Sequence, residues 1–402
     1  MVNTSLPAPS EESSFGKYRL VQQLASGGMA HLFLASIDGP DGFSKPCVIK
    51  RVLPEYANLE AFSRMFVDEA KVAALLTHPN IVQVFDFGKI EGQYYLAMEW
   101  IQGQSLDRLL RQAVKLAYPL GPRVAVEVGL ALADALAYAH TKTLPDGTPL
   151  KLVHRDITPG NVLVSREGIV KLADFGIVKS SVNMERTVVG VVKGKYPYMS
   201  PEQITNRELD HRSDLFSLGI VLFETATGRR LFKRDTVEAT VMATSQAQVP
   251  LPSEVVPGFP AELERILLRL LAKDPDARYP SARELREDLE RFRASQGWTP
   301  GGHELATAMK TLFPPDKSGQ MPTALPALGS SASGSASSSS RTPGSAGSVK
   351  VPPPPEEGTA AATRAMSSIS VVPVQEESFP WGIALAAGAA AVGSALFWYF
   401  AA

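Results

Sequence analysis

From Tyr18 to Leu53 apolar and polar positions alternate, as in YRLVQQLA, HLFLASI and KPCVIKRVL. A period of two puts every second side chain on one face, so these stretches predict half-buried strands, with SGGM as the turn between the first two. The period then changes. LEAFSRMFVDEAKVAALL spaces its apolar residues three and four apart and predicts a helix. IVQVFDFGKI and YYLAMEWI return to strand character. The later segments are mainly helical: VAVEVGLALADALAYAH, SDLFSLGIVLFETATG, AELERILLRLLAK and ARELREDLERFRA, with a short strand, VLV, after the first. Between that first helix and VHRD, the stretch TKTLPDGTPLK carries turn residues and reads as a surface hairpin or loop. Strands first and helices after predict an α+β fold, with a strand-rich small lobe and a helical large lobe, rather than alternating βαβ units.

Composition divides the chain further. Residues 1–17 are polar, with neither a basic leader nor an apolar stretch, and read as a disordered lead-in without a secretion signal. Residues 18–293 have the mixed composition of a folded domain, and 294–313 a short helical extension. Residues 314–378 are dominated by Ser, Pro, Ala and Gly, as in SSASGSASSSSRTPGSAG and VPPPPEE. Such a segment buries too little apolar surface to offset its ordering entropy, so a disordered linker is expected, with an r.m.s. span of about 45 Å. The tail, 379–402, reads FPWGIALAAGAAAVGSALFWYFAA. Over all 402 residues, 45% are hydrophobic, and 40 Lys and Arg balance 41 Asp and Glu. That balance provides no electrostatic footprint for nucleic acid. The single cysteine, Cys47, excludes an internal disulfide.

The chemistry is concentrated in two short motifs. HRDITPGN, from His154 to Asn161, lies between the long helix and VLV, and DFG, from Asp174 to Gly176, follows it. Phosphoryl transfer from ATP needs magnesium ligands and a carboxylate beside the incoming hydroxyl. An Asp and an Asn in one loop, with a second Asp on a neighbouring loop, supply those groups. Taken singly, each is equally a turn or helix-capping residue. As an ordered set they resemble the eukaryotic-like (bacterial-type) serine/threonine protein kinases, and the resemblance covers about residues 18–293.

The resemblance implies a bilobal protein-kinase fold that uses ATP and Mg2+. It makes Asp156 the catalytic base or hydroxyl positioner, and Asn161 and Asp174 the magnesium ligands. Lys50, ending CVIK, would contact the α- and β-phosphates and pair with Glu69 of FVDEAKVAALL, with Asp68 as the alternative register. The glycine-rich loop would comprise Leu24, Ala25, Ser26, Gly27, Gly28, Met29, Ala30 and Leu32. Only Gly27 matches the family pattern there, Ala25 and Ala30 standing for the outer glycines and Leu32 for the valine. Met98 would be the gatekeeper of a hinge in which Glu99 and Ile101 meet adenine. The activation segment would run from Asp174 to Glu202, ending SPE, with Glu202 paired to Arg278 and Asp214 bracing the catalytic loop. Arg155 beside Asp156 implies control by phosphorylation, with Ser180, Ser181 and Thr187 as acceptors and Thr187 preferred. Two further positions depart from the family: Thr158 replaces the lysine two residues after the catalytic aspartate, and Lys195 replaces the threonine before the tyrosine of GKYPYMSPE.

These features imply an enzyme that phosphorylates protein hydroxyls, itself included. The altered glycine loop and Thr158 keep open a pseudokinase that holds nucleotide as a scaffold, and a small-molecule phosphotransferase is the third reading. The tail admits two readings as well. From Gly382 to Ala402 no residue is charged, and as a helix this stretch is about 31 Å long, matching a ~30 Å hydrocarbon core. Trp381 at one end and Phe397 to Phe400 at the other resemble interfacial aromatic belts. A buried core helix is the alternative, disfavoured by the long linker and the lack of a polar face. The expectation is a transmembrane helix that holds a cytoplasmic kinase at a lipid bilayer. Gly382, Ala386, Ala390 and Ser394 form a small-residue line that could support dimerisation, although so alanine-rich a segment produces such lines by chance.

Overall fold

The structure is a computed structural model that describes residues 13–27, 29–57, 59–175 and 195–314. Its small lobe comprises strands β1 (Ser13–Phe15), β2 (Tyr18–Ser26), β3 (Ala30–Asp38) and β4 (Ser44–Val52), helices α1 (Pro54–Ala57) and α2 (Glu60–Leu75), then β5 (Val84–Ile90) and β6 (Gln93–Glu99). The chain continues through β7 (Gly103–Ser105), α3 (Leu106–Lys115), α4 (Gly121–His140), β8 (Val162–Ser165) and β9 (Val170–Leu172). Among the described residues, seven α-helices follow in the large lobe: α5 (Pro201–Ile204), α6 (Arg212–Thr227), α7 (Val237–Gln246), α8 (Pro252–Val255), α9 (Ala261–Leu270), α10 (Ala282–Ser295) and α11 (His303–Leu312).

All pairings of the first sheet are antiparallel, in the order β1-β2-β3-β4-β6-β5. The alternation seen in the sequence sorts its side chains to two faces. Phe15, Tyr18, Ala35, Ile49 and Tyr95 pack on one, while Leu32, Val48, Leu96 and Met98 pack on the other with Phe66 and Ala70 of α2. Cys47 is fully buried here, and burial pushes its thiol up to about 11, so it is a core residue rather than a nucleophile. Order begins earlier than the lead-in over 1–17 suggests. Ser13 to Phe15 form the edge strand, and the Phe15 ring meets Tyr95 edge-on at 5.6 Å. The polar serines mask a strand whose one large side chain covers the end of the sheet.

The large-lobe core surrounds α4 and α6. Every residue of α6 from Ser213 to Ala226 is buried, which explains its nearly continuous apolar sequence. Among the described helices of ten residues or more, three lay outside the periodicity reading or at its margin. In α3, Ser105 caps the first turn by accepting from the Arg108 amide at 3.4 Å. The buried positions of α7 are Thr240 and Thr244, which satisfy their hydroxyls on carbonyls one turn back, so hydropathy does not reveal this helix. The extension over 294–313 contains α11, which is integral to the large lobe: Leu305, Ala308, Met309 and Leu312 join the core. Gly168 permits that docking, since a Cβ there would lie 2.1 Å from the Gly302 carbonyl oxygen. TKTLPDGTPLK folds as a hairpin, with the Leu144 amide donating to the Thr148 carbonyl at 2.8 Å. The linker from residue 315 onward and the apolar tail lie outside the described residues. Among the described residues no helix is long and apolar enough to cross a membrane.

Candidate active site

The loop bearing Asp156 is suspended from the start of α6. Asp214 accepts hydrogen bonds from the backbone amides of His154 and Arg155, each at 2.8 Å, and its Oδ2 lies 2.8 Å from His140 Nε2. Burial works to raise the Asp214 carboxyl, but these partners outweigh it and hold the group below its ordinary range. Asp214 thereby secures Arg155, whose φ of 65° is uncommon for a residue with a Cβ. The Arg155 carbonyl accepts from Gln203 Nε2 at 3.0 Å, tying the loop to α5. Asp174 adopts φ 54°, a second left-handed residue at the site.

These constraints bring Asp156, Asn161, Asp174, Lys50 and Glu69 together. Asn161 Nδ2 donates to the Asp156 carbonyl at 2.8 Å and to Asp156 Oδ2 at 3.1 Å, so its amide oxygen is the atom directed away from the loop. The Ala173 amide donates to the Asn161 carbonyl at 2.8 Å, which aligns the two loops. Lys50 Nζ lies 2.8 Å from Glu69 Oε1 and 3.0 Å from Asp174 Oδ1. Burial lowers the Lys50 pKa, but Asp174 and Glu69 more than offset this, so its pKa is above 10.5 and the ammonium stays charged. The register question on α2 is resolved: Glu69 faces the sheet, whereas Asp68 is exposed beside Lys71, about 100° further round the helix.

Beside these groups the two lobes meet in an apolar cluster, the surface on which an adenine slot would form. Leu32, Val48 and Met98 of the small lobe meet Leu163 and Ala173 of the large lobe, with Leu24, Ala25, Trp100 and Ile101 at the margin. Val48 and Leu163 escaped the motif reading, although Val48 shares a strand face with Lys50 and Leu163 follows Asn161 closely. At the hinge, Glu99 Oε1 accepts from the Gln83 amide and from Lys171 Nζ, both at 2.7 Å. Its side chain therefore fixes the hinge. Ala25 and Ala30 lie within β2 and β3 at negative φ, so their Cβ atoms impose no backbone strain. Their strands pair through Ala25–Leu32 and Ser26–His31, and the Gly27 amide donates to the Ala30 carbonyl at 3.0 Å. Met29 accepts from the Leu53 amide at 3.1 Å. Gly28 lies outside the described residues, as do Gly176, Ser180, Ser181 and Thr187.

Asn161 and Asp174 suit magnesium. One amide oxygen and one carboxylate beside an apolar cluster match an ion that takes few protein ligands and completes its shell with phosphate and water. Among the described residues no cluster of three or more His, Cys, Asp or Glu could hold a metal by itself. The far end of the activation segment is fixed independently. Ser200 caps α5 in a reciprocal box with Gln203, and Glu202 forms a two-pronged pair with Arg278 at 2.7 and 2.9 Å. Lys195 Nζ stands 2.6 Å from Asp156 Oδ2, a contact the sequence reading did not foresee.

Comparison with known proteins agrees with this geometry. The family model described as "Protein kinase domain" matches residues 18–288. A protein named "Tyrosine-protein kinase MasK" from Myxococcus xanthus is 42% identical over 299 residues, covering 74% of this chain and 46% of that protein. "Serine/threonine-protein kinase PrkC" from Bacillus subtilis is 34% identical over 275 residues, covering 68% of this chain and 40% of that protein. The chain thus spans less than half the length of these curated relatives. Among solved structures, the Mycobacterium tuberculosis PknI kinase domain superposes with a TM-score of 0.54 at 27% identity, covering 71% of this chain and 100% of that one.

Proposed function

This chain belongs to the protein kinase family, and from that premise we propose that it is an ATP-dependent serine/threonine protein kinase, acting on protein hydroxyls and on itself. The observation that carries the reading is the assembled Lys50–Glu69–Asp174 triad facing Asp156 and Asn161. A nucleotide-holding scaffold has no need of Asp156, and the intact set weighs against that alternative.

In the proposed reaction the apolar cluster receives the adenine and Lys50 holds the α- and β-phosphates. Asp156 orients the acceptor hydroxyl and receives its proton. The acceptor oxygen forms a bond to the γ-phosphorus, the bond from that phosphorus to the β,γ-bridging oxygen breaks, and ADP leaves with the electron pair. Asn161 and Asp174 would hold magnesium, which would supply charge neutralisation on the phosphates. The remaining work is positioning, which the chain performs through Asp214 on the catalytic loop and Arg278 on the activation segment.

The test is incubation with γ-labelled ATP followed by phosphoamino acid analysis. Label on serine or threonine is expected, with Mg2+ required and Asp174→Ala essentially silent. Label retained in excess EDTA, or undiminished in Asp174→Ala, would refute the reading. Label on tyrosine alone would favour the second reading, tyrosine specificity. That reading draws on the name of the Myxococcus relative and on the departures at Thr158 and Lys195.

We further propose that residues 379–402 anchor the kinase at a membrane, with the catalytic domain on the cytoplasmic side. Support comes from the uncharged length and aromatic ends of the tail. The full-length chain should sediment with membranes and resist extraction by carbonate, and a chain ending at residue 378 should be soluble with undiminished activity. Membrane association of the truncated chain would contradict the anchor.

A further inference from the structure

Asp156 has a cation beside it that its own loop does not provide. Lys195 reaches it from the end of the activation segment, Nζ to Oδ2 at 2.6 Å, with the lysine side chain 22% exposed and the aspartate 9%. The same carboxylate oxygen accepts from Asn161 Nδ2 at 3.1 Å, so loop and segment converge on one atom. Position 158, in the loop itself, carries a neutral threonine where the resembled family carries lysine, and position 195 carries lysine where that family carries threonine. We propose that Lys195 is the catalytic cation that position 158 lacks, contacting the transferring phosphoryl group from the activation segment instead of from the catalytic loop. The proposal rests on the kinase reading above.

Charge accounting supports it. Lys50 already serves two carboxylates, Glu69 and Asp174. A phosphoryl group in transfer spreads negative charge over its oxygens beside Asp156, itself negative. A cation in contact with Asp156 relieves that repulsion. An ammonium has three donors and so can serve the carboxylate and a phosphoryl oxygen together.

The mounting of Lys195 supports it too. Its carbonyl accepts from the Tyr198 amide at 3.0 Å, closing a tight turn over Tyr196–Tyr198. The Tyr198 hydroxyl donates to Glu224 at 2.8 Å, Ser217 Oγ donates to the Tyr198 carbonyl at 2.7 Å, and Thr244 Oγ1 donates to the Tyr196 carbonyl at 3.3 Å. This base is bolted to α6 and α7, so the ammonium is held by the large-lobe core. The cation is in place only when this end of the segment is docked, which couples the charge at Asp156 to the state of the segment.

The test compares wild type with Lys195→Thr, Lys195→Gln and the exchanged pair Lys195→Thr/Thr158→Lys. Phosphoryl transfer at saturating ATP is measured with affinity for ADP alone, affinity for ADP with aluminium fluoride as a mimic of the phosphoryl in transfer, and the melting midpoint. Each single variant should lose about 100-fold in kcat and in affinity for the mimic, with ADP affinity and melting midpoint unchanged. The exchanged pair should recover at least about tenfold of the loss, since it returns a cation to the same carboxylate. Single variants as active as wild type, or more active, would show the lysine to be idle or obstructive and overturn the proposal while leaving the kinase reading intact. An exchanged pair no better than the single variants would also overturn it. A wild-type protein that transfers no phosphate would overturn the kinase reading, and this proposal with it.

Discussion

Asp156→Asn should abolish measurable phosphoryl transfer, a fall of about 1,000-fold or more, while leaving nucleotide affinity within a few-fold of wild type. The substitution is nearly isosteric, so the loop, held by Asp214 through the His154 and Arg155 amides, has no reason to move. What changes is the chemistry of one atom. Oδ2 of Asp156 accepts from both Asn161 Nδ2 and Lys195 Nζ. An amide at this position cannot take a proton from the acceptor hydroxyl, and its NH2 group would face donors if it occupied the Oδ2 position. The apolar cluster and the Lys50–Glu69 pair lie on other elements and are untouched. The measurement is initial-rate transfer from γ-labelled ATP beside equilibrium binding of ADP. Equal labelling by wild type and variant would remove Asp156 from the reaction.

Arg278→Ala should destabilise the large lobe by about 3–5 kcal/mol, among the largest single-residue effects expected in this domain. The guanidinium is fully buried and meets Glu202 through its two terminal nitrogens. It also donates to the carbonyls of Ala272, Arg212 and Lys273 at 2.8, 3.0 and 3.1 Å, and lies over the Phe216 ring at 4.7 Å. Removing it leaves Glu202 as a buried carboxylate whose remaining side-chain partner is Ser213 Oγ at 2.6 Å. Urea denaturation of the two proteins measures the difference, and a loss below about 1 kcal/mol would show the pair to be dispensable. The pH dependence has a definite sign. Burial works to raise the Glu202 carboxyl, but Arg278 and Ser213 outweigh it and hold the group below its ordinary 4.5. A depressed carboxylate contributes stability above its unfolded pKa and loses it as pH falls through the folded one. The wild-type advantage over Arg278→Ala should therefore be largest near neutral pH and shrink in acid solution. The same change loosens α5, and through Gln203 the Arg155 carbonyl, so activity should fall with stability.

Much of this site was legible because its chemistry is written in short local strings. Each brings its own backbone context: a strand before Lys50, a turn from Asp156 to Asn161, a helix start at Asp214. Alternation and helical spacing marked most elements, since a face either meets the core or it does not. Where the signal was weak, the core was built differently. Helix α7 buries threonines that satisfy their own hydroxyls, and β1 buries a single phenylalanine behind two serines. Neither produces an apolar period.

The sequence by itself determined the fold class and the order of the lobes, because each depends on local periodicity, while HRDITPGN and DFG carried the resemblance that implied the groups around Asp156. Only the tertiary structure decided that Glu69 and not Asp68 meets Lys50, that the Glu99 side chain clamps the hinge, that α11 belongs to the large-lobe core, and that Lys195 lies against Asp156. These are contacts between segments far apart in the chain. They exist because packing of α2 on the sheet in the small lobe, and around α4 and α6 in the large lobe, brings the segments within hydrogen-bond reach, and no local pattern encodes which distant partner a charged side chain will meet.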